Sequence, residues 1–339
     1  MAIPSPSSPA YDFRPGTQFK QYQLLEQIGA GGQGVVWSAY DQAVQRVVAV
    51  KFSEVPEQAD GYDEMRYRES ARLVELRHPY ILPLYEIGLT GRLRFLVSLY
   101  AAGGSLSDKI ARGPLDVRET LRYASEIAEA LEYLHAEGVI HRDLKTSNVL
   151  TDLSQNAFLA DFGIARFTSD STQAVHTGRG TPMYAPPEQH KMTAISPQSD
   201  IYSFGVMLYE LFAGRLPWSG EAPLGIKQLY SHEEIPDPRL LVPSLPAGLA
   251  GVLRQMTAIE ASARPASARQ AMQMLSSVFD VQPIPFSRTV REEKEIIKAD
   301  AQELLRQNLE RWETSTGGGA SLEFLEGQEL PGVAALTEK

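Results

Sequence analysis

The first residues that could do chemistry are glycines. Ile28-Gly29-Ala30-Gly31-Gly32-Gln33-Gly34-Val35-Val36 places them at the GxGxxG spacing, where backbone amides can approach phosphate oxygens with no Cβ in the way. Dinucleotide-binding folds use the same spacing. There the loop runs from strand into helix, and an acidic residue follows about 20 positions on. Here strand-like runs flank the glycines on both sides, which predicts a hairpin. Taken alone, a glycine turn of no function is the lesser alternative. Val48-Ala49-Val50-Lys51 then sets a lysine in a strand suited to burial, and a desolvated ammonium needs a partner. Glu69, on the helical stretch that follows, is the best candidate. A structural ion pair is the alternative, because Arg66, Arg68 and Arg72 crowd the same stretch.

Three further blocks follow in order: His141-Arg142-Asp143-Leu144-Lys145-Thr146-Ser147-Asn148, then Asp161-Phe162-Gly163, then Tyr184-Ala185-Pro186-Pro187-Glu188. With the glycines and Lys51 ahead of them, their order and spacing resemble the protein-kinase family over about Phe19 to Phe279. The style resembles the eukaryotic-like serine/threonine kinases of bacteria. The resemblance implies an α+β, bilobal fold, with a small mainly-β N-lobe carrying one key helix and a larger mainly-α C-lobe. It implies ATP and Mg²⁺ as cofactors, and phosphoryl transfer to Ser/Thr hydroxyls of protein substrates, a reaction that needs positioning and charge neutralisation more than covalent chemistry.

Residue by residue, the resemblance makes Lys51, held by Glu69, the grip on the α- and β-phosphates. Asp161 and Asn148 become hard oxygen ligands for Mg²⁺. Asp143 accepts or orients the substrate hydroxyl proton, and Lys145 neutralises the γ-phosphate. Ile28, Gly29, Gly31 and Gly34 belong to the nucleotide loop. Val36, Ala49 and Leu150 sandwich adenine, beside the connecting residues Ser98, Leu99, Tyr100 and Ala101. His141, Phe162, Leu73 and Leu84 form a stacked apolar column. Asp200 anchors the loop that holds Asp143, and Arg264 pairs with Glu188.

These residues need a scaffold. Tyr22–Ile28, Val35–Tyr40, Arg46–Phe52, Leu82–Gly88 and Leu93–Tyr100 read as strands, and Asp63–Arg77 as a helix. Helices are predicted over Val117–Glu137, near Asp200–Ala213, Leu245–Ala258 and Ala266–Val278. Strands first and helices later indicate segregated lobes. The expected boundaries are a disordered segment over 1–18, a kinase domain over 19–279 (N-lobe 19–97, hinge 98–104, C-lobe 105–279), and an extension over 280–339. Within the extension, Thr289 and Glu292 form a capping-box pattern for a helix over about 289–312. That helix is expected to cap the C-lobe, to dimerise or to regulate. A homodimer through it or through the kinase lobes is a further expectation.

Composition narrows the class. The chain is 43% hydrophobic and 22% charged, as globular proteins are, and its net charge of -10 argues against nucleic acid as the main partner. It has no cysteine, which removes disulfides, thiolate zinc sites and cysteine nucleophiles and suits a cytoplasmic setting. No apolar run approaches the roughly 20 residues of a membrane helix, so no membrane insertion is expected.

Lys145, two residues after Asp143, and Thr181 in Gly180-Thr181-Pro182 favour serine/threonine acceptors. Thr168, Ser169, Ser171, Thr172 and Thr177 are expected autophosphorylation sites in a signalling role, with Arg142 as the phosphate partner. Departures from the family pattern are Pro186 in place of alanine, a small Ser98 where a bulky gatekeeper is common, and Leu99 where an acidic residue is frequent. Ser105 and Ser147 stand where carboxylates would read a substrate arginine. The rival from another class is a pseudokinase scaffold, whose usual signature is loss of the lysine or of a key aspartate, and none is lost here.

Overall fold

The computed structural model describes residues 13–31, 34–54, 73–161, 182–191, 193–218 and 234–281. They fall into two compact units. One takes the described residues up to Glu75 together with Pro83–Ala102, and the other takes Leu76–Leu82 and the described residues from Gly103 on.

The first unit is an antiparallel sheet of β1 (Gln18–Phe19), β2 (Tyr22–Gly31), β3 (Gly34–Asp41), β4 (Arg46–Glu54), β5 (Leu84–Thr90) and β6 (Leu93–Leu99), in the order β1-β2-β3-β4-β6-β5. Side chains alternate across a strand, and the sequence uses that alternation fully. Val48, Val50 and Phe52 of β4 join Tyr22, Leu24, Trp37, Ala39, Leu93, Phe95 and Val97 in one apolar core. Phe13 and Phe19 close over it, with ring centroids 4.4 Å and 5.0 Å from Phe52. Each such fully buried side chain contributes about 1.5–3 kcal/mol. Ala49 and Lys51 are thereby left to the opposite face.

The second unit is helical. It contains α1 (Leu106–Ile110), α2 (Val117–Ala136), α3 (Pro187–His190), α4 (Pro197–Ala213), α5 (Leu249–Met256) and α6 (Ala268–Phe279), with a two-stranded ladder of β7 (Val149–Thr151) and β8 (Ala157–Leu159). Asp116 caps α2 by accepting the Arg118 N–H at 2.8 Å; past its end, Gly138 takes φ 73°, the left-handed stop that glycine supplies cheaply. α4 is buried along nearly its whole length and packs on α2 and α5. Gly205 permits that closeness, since a Cβ there would stand 2.8 Å from the Met256 Cβ.

Several predicted bounds shift for identifiable reasons. β5 starts at Leu84 because the Leu82 N–H bonds the Leu159 carbonyl at 2.9 Å instead of joining β6. α4 starts at Pro197, with Ser196 and Ser199 forming a capping box. α5 waits until Leu249, beyond Pro246 and Gly248. Most of the helix expected over Asp63–Arg77 and all of the one over 289–312 lie outside the described residues. Among the described residues no helix is long and apolar enough to cross a membrane.

Candidate active site

In the sheet unit, register sets the functional face. Val36 pairs with Lys51, and Lys51 with Leu96. In the next row, Ser38 pairs with Ala49 and Ala49 with Ser98. Val36, Ala49, Lys51 and Ser98 therefore stand on the face opposite the aromatic core. Ser98 is buried, and its hydroxyl donates to the Leu99 carbonyl at 3.3 Å. Leu99 donates its own N–H to Pro83, and Tyr100 and Ala101 continue beyond the strand, half-buried.

The glycines close the β2–β3 hairpin, with Gly29 opposite Val36 and Gly31 opposite Gly34. This is the predicted strand-to-strand setting. Gly34 has φ +120°, and a Cβ there would lie 1.9 Å from the Phe52 carbonyl oxygen, so only glycine fits. At Gly31 a Cβ would meet nothing within 4 Å. Packing thus explains one glycine and, among the described residues, gives no reason for the other. Ile28, in the register shift between Gln27 and Gly29, is 41% exposed.

In the helical unit, the 141–148 turn hangs from α4. The Asp200 carboxylate is 1% exposed. It accepts the backbone N–H of His141 at 2.8 Å and that of Arg142 at 2.9 Å, and it also meets His135 Nε2 at 2.8 Å. A buried carboxylate so well satisfied is a strong anchor. It holds Arg142 at φ 69°, a left-handed backbone that costs a non-glycine residue about 1–3 kcal/mol.

His141 is fully buried, and its protonation follows from its neighbours. Nε2 lies 3.0 Å from the Ala160 carbonyl, which can only accept, so Nε2 carries the hydrogen. Nδ1 accepts the Asp143 N–H at 3.3 Å. The ring is therefore the neutral Nε2–H tautomer, and burial pushes its pKa down in agreement.

Asp143 is then gripped from two sides. Lys145 Nζ donates to its Oδ2 at 2.7 Å, and Asn148 Nδ2 to the same oxygen at 2.9 Å. Oδ1 takes part in neither bond. Asn148 Nδ2 also donates to the Asp143 carbonyl at 2.7 Å. Both amide hydrogens being used, the remaining polar atom of Asn148 is a hard carbonyl oxygen. Asp161 follows β8 with φ 60°. The β7–β8 register pairs Val149 with Leu159, and the Ala160 N–H bonds the Asn148 carbonyl at 2.8 Å. Asn148 and Asp161 thus share one end of the ladder. A carboxylate with a carboxamide oxygen suits a hard cation such as Mg²⁺, which takes one or two protein ligands and fills its shell with water and phosphate. Among the described residues no cluster of three or more His, Asp or Glu side chains forms a cage of its own.

Glu188 is held by a bidentate pair, with Arg264 Nη1 and Nη2 at 2.6 and 2.9 Å. Burial alone would raise its pKa, but Arg264 and the Ser199 hydroxyl hold it below the usual carboxylate range.

Of the residues singled out in the sequence, the structure brings Asp143, Lys145 and Asn148 together, with Asp161 at the ladder end beside Asn148. Leu150 is half-buried on β7, and Leu73 and Leu84 are buried in the sheet unit. Glu69, Phe162, Thr181 and the hydroxyls of 168–177 lie outside the described residues, as do the Lys51–Glu69 pair and the apolar column. Sequence reasoning missed His135, whose only sign was a histidine in the last turn of a helix ahead of the motif. It missed the bond of Thr146 to Tyr184 as well.

Comparison with known proteins agrees with this arrangement. The family model described as protein kinase domain matches residues 22–279. The serine/threonine-protein kinase PrkC of Bacillus subtilis is 32% identical over 284 residues, covering 82% of this chain and 44% of PrkC. The DNA damage-responsive serine/threonine-protein kinase RqkA of Deinococcus radiodurans is 34% identical, over 75% of this chain and 39% of its own length. PknB of Mycobacterium tuberculosis is 32% identical, over 63% of this chain and 36% of its own length. The chain spans less than half the length of these curated relatives. Such families generally use ATP and Mg²⁺. With its sheet unit, its helical unit and the Asp143 turn hung from α4, this chain belongs to the protein kinase family.

Proposed function

We propose that this chain is an active serine/threonine kinase that transfers the γ-phosphoryl group of ATP to protein hydroxyls. The observation that carries the reading is the clamp on Asp143, whose Oδ2 is held by Lys145 and Asn148 while Oδ1 lies outside both bonds. Oδ1 would face the substrate hydroxyl, orienting it and taking its proton as the phosphorus–oxygen bond forms. Lys145, beside it, neutralises charge gathering on the γ-phosphate, and Lys51 grips the α- and β-phosphates with Glu69 as its partner. Asn148 Oδ1 and the Asp161 carboxylate hold Mg²⁺. Once bound, that ion spreads the charge that builds on the phosphate oxygens.

Ile28, Gly29, Gly31, Gly34, Val36, Ala49, Ser98, Leu99, Tyr100, Ala101 and Leu150 take the nucleotide. The open space at Gly31 supports this, because backbone there can meet phosphate oxygens without a side chain between. The names of the relatives support serine and threonine as acceptors. So does Lys145, two residues after Asp143. The kinase domain is taken as 19–279, with an extension beyond. A reaction that consumes ATP and needs Mg²⁺ supports a cytoplasmic setting.

The test is transfer of label from γ-³²P-ATP to a generic protein substrate by the full chain, beside Asp143→Asn. Wild-type incorporation that the variant abolishes sustains the reading. Equal rates in both proteins would refute it.

A further inference from the structure

Thr146 lies inside the turn between Lys145 and Asn148, and its side chain faces away from solvent. The residue is 2% exposed, and its Oγ1 stands 3.1 Å from Tyr184 Oη. Tyr184 in turn donates to Glu210 Oε2 on α4. A phenol has a single hydrogen. With that hydrogen committed to Glu210, the Tyr184 oxygen must accept, so Thr146 is the donor. The donors run in one direction, from the turn that holds Asp143 through Tyr184 to a buried carboxylate.

The far end of this chain is fixed twice over. Ser203, also on α4, donates its hydroxyl to the Tyr184 backbone carbonyl at 2.9 Å, and Glu210 takes the side chain. The near end is built into the turn itself, because the Thr146 carbonyl accepts the Val149 N–H and Asn148 N–H bonds the Lys145 carbonyl. Tyr184 needs no second partner to be satisfied, since Glu210 already takes its hydrogen. What the Thr146 hydroxyl adds is position.

We propose that Thr146 is a positioning residue for phosphoryl transfer: its hydroxyl locks the Lys145–Asn148 turn to Tyr184, so that the clamp on Asp143 is set only while the Tyr184 segment is seated on α4. This rests on the kinase reading above. The bonds on the Asp143 carboxylate come from Lys145 and Asn148, and Thr146 makes none of them. Its influence belongs in the rate of transfer and not in the affinity for ATP.

Thr146→Val keeps the side-chain volume and removes only the donor. In steady-state kinetics of the full chain with MgATP and a generic protein substrate, kcat should fall about three- to tenfold, the factor that one hydrogen bond carries, with KM for ATP unchanged. Thr146→Ser restores the hydroxyl and should recover most of the rate. Tyr184→Phe should lower kcat by a similar factor, and the double variant Thr146→Val/Tyr184→Phe should fall no further than the worse single. A Thr146→Val protein with wild-type kcat and only a lower thermal midpoint would overturn the proposal, because the hydroxyl would then be a fastener alone. Full additivity in the double variant would also overturn it. A wild-type chain that transfers no label would instead strike at the kinase reading itself, which keeps the two failures apart.

Discussion

Two polar clusters hang from α4, and they are finished differently. At Arg264 the guanidinium makes five hydrogen bonds: Nε to the Ala258 carbonyl, Nη1 to Glu188 and the Gln198 carbonyl, and Nη2 to Glu188 and the Ile259 carbonyl. Every donor is used, and the side chain is 0% exposed. At Asp143 the bonds converge on one carboxylate oxygen, while the other oxygen and Asn148 Oδ1 remain outside them. A structural network closes on itself. A network meant for substrate leaves oxygens over.

That contrast can be broken from either side. The largest effect is expected at the open cluster. Asp143→Asn should lower the rate of phosphoryl transfer by a factor on the order of 10²–10⁴, while its circular dichroism and unfolding midpoint stay those of the wild type. At the closed cluster the consequence is reversed. Arg264→Ala leaves the half-buried Glu188 without its cationic partner, which costs up to about 3–5 kcal/mol, read by chemical denaturation. An Arg264→Ala chain as stable as wild type would mean that the pair is ornamental.

The glycine hairpin sharpens the same distinction. Gly34→Ala drives a Cβ into the Phe52 carbonyl and should destabilise the sheet unit by about 1–3 kcal/mol. Gly31→Ala has open space around it and should leave the melting temperature unchanged while raising KM for ATP. The two variants, compared by thermal melts and ATP titration, separate packing from phosphate access.

The smallest effect is on pH. His141 is buried, His78 is half-buried, and both are neutral; desolvation holds His141 below its ordinary 6.5 and carries His78 down to about 4. Below pH 6.5 the unfolded chain gains protons that the folded one refuses, so stability present at pH 7 should decline as pH falls toward 4. Glu188, depressed from 4.5, adds a further loss below that value. Urea titrations at pH 7, 5.5 and 4.5 measure it, and a flat profile would contradict the neutral tautomer of His141.

The sheet was legible because its signal is local. Alternation in Val48-Ala49-Val50-Lys51-Phe52 assigns faces from neighbouring residues alone. The blocks around Asp143 and Asp161 were equally legible, since contiguous residue types carry them. Links between distant residues were legible only where the family resemblance supplied them. Asp200 reaches the His141 and Arg142 amides from 59 and 58 positions away, and periodicity carries no trace of such a bond. His135 lay outside the resemblance, Thr146 lay inside its 141–148 block with no role attached, and the bonds of neither were seen. Ser105 shows a subtler failure. It was read only as the absence of a carboxylate, yet Ser105-x-x-Asp108 is a capping box that starts α1, with its hydroxyl on Asp108 Oδ2 at 2.7 Å. A five-residue helix is too short to betray itself by apolar spacing, but its cap was in plain view.

The saturation of Arg264 restricts what this position can become. Its five donors leave in one plane from three nitrogens and meet acceptors on Glu188, Gln198, Ala258 and Ile259. A lysine would bring the same charge on a single nitrogen with three hydrogens, too few and wrongly directed to replace them. The commonest exchange between cationic residues is therefore closed here. The position is specified by the shape of a fork and only secondarily by its charge, which makes it one of the least negotiable residues for anyone redesigning this chain.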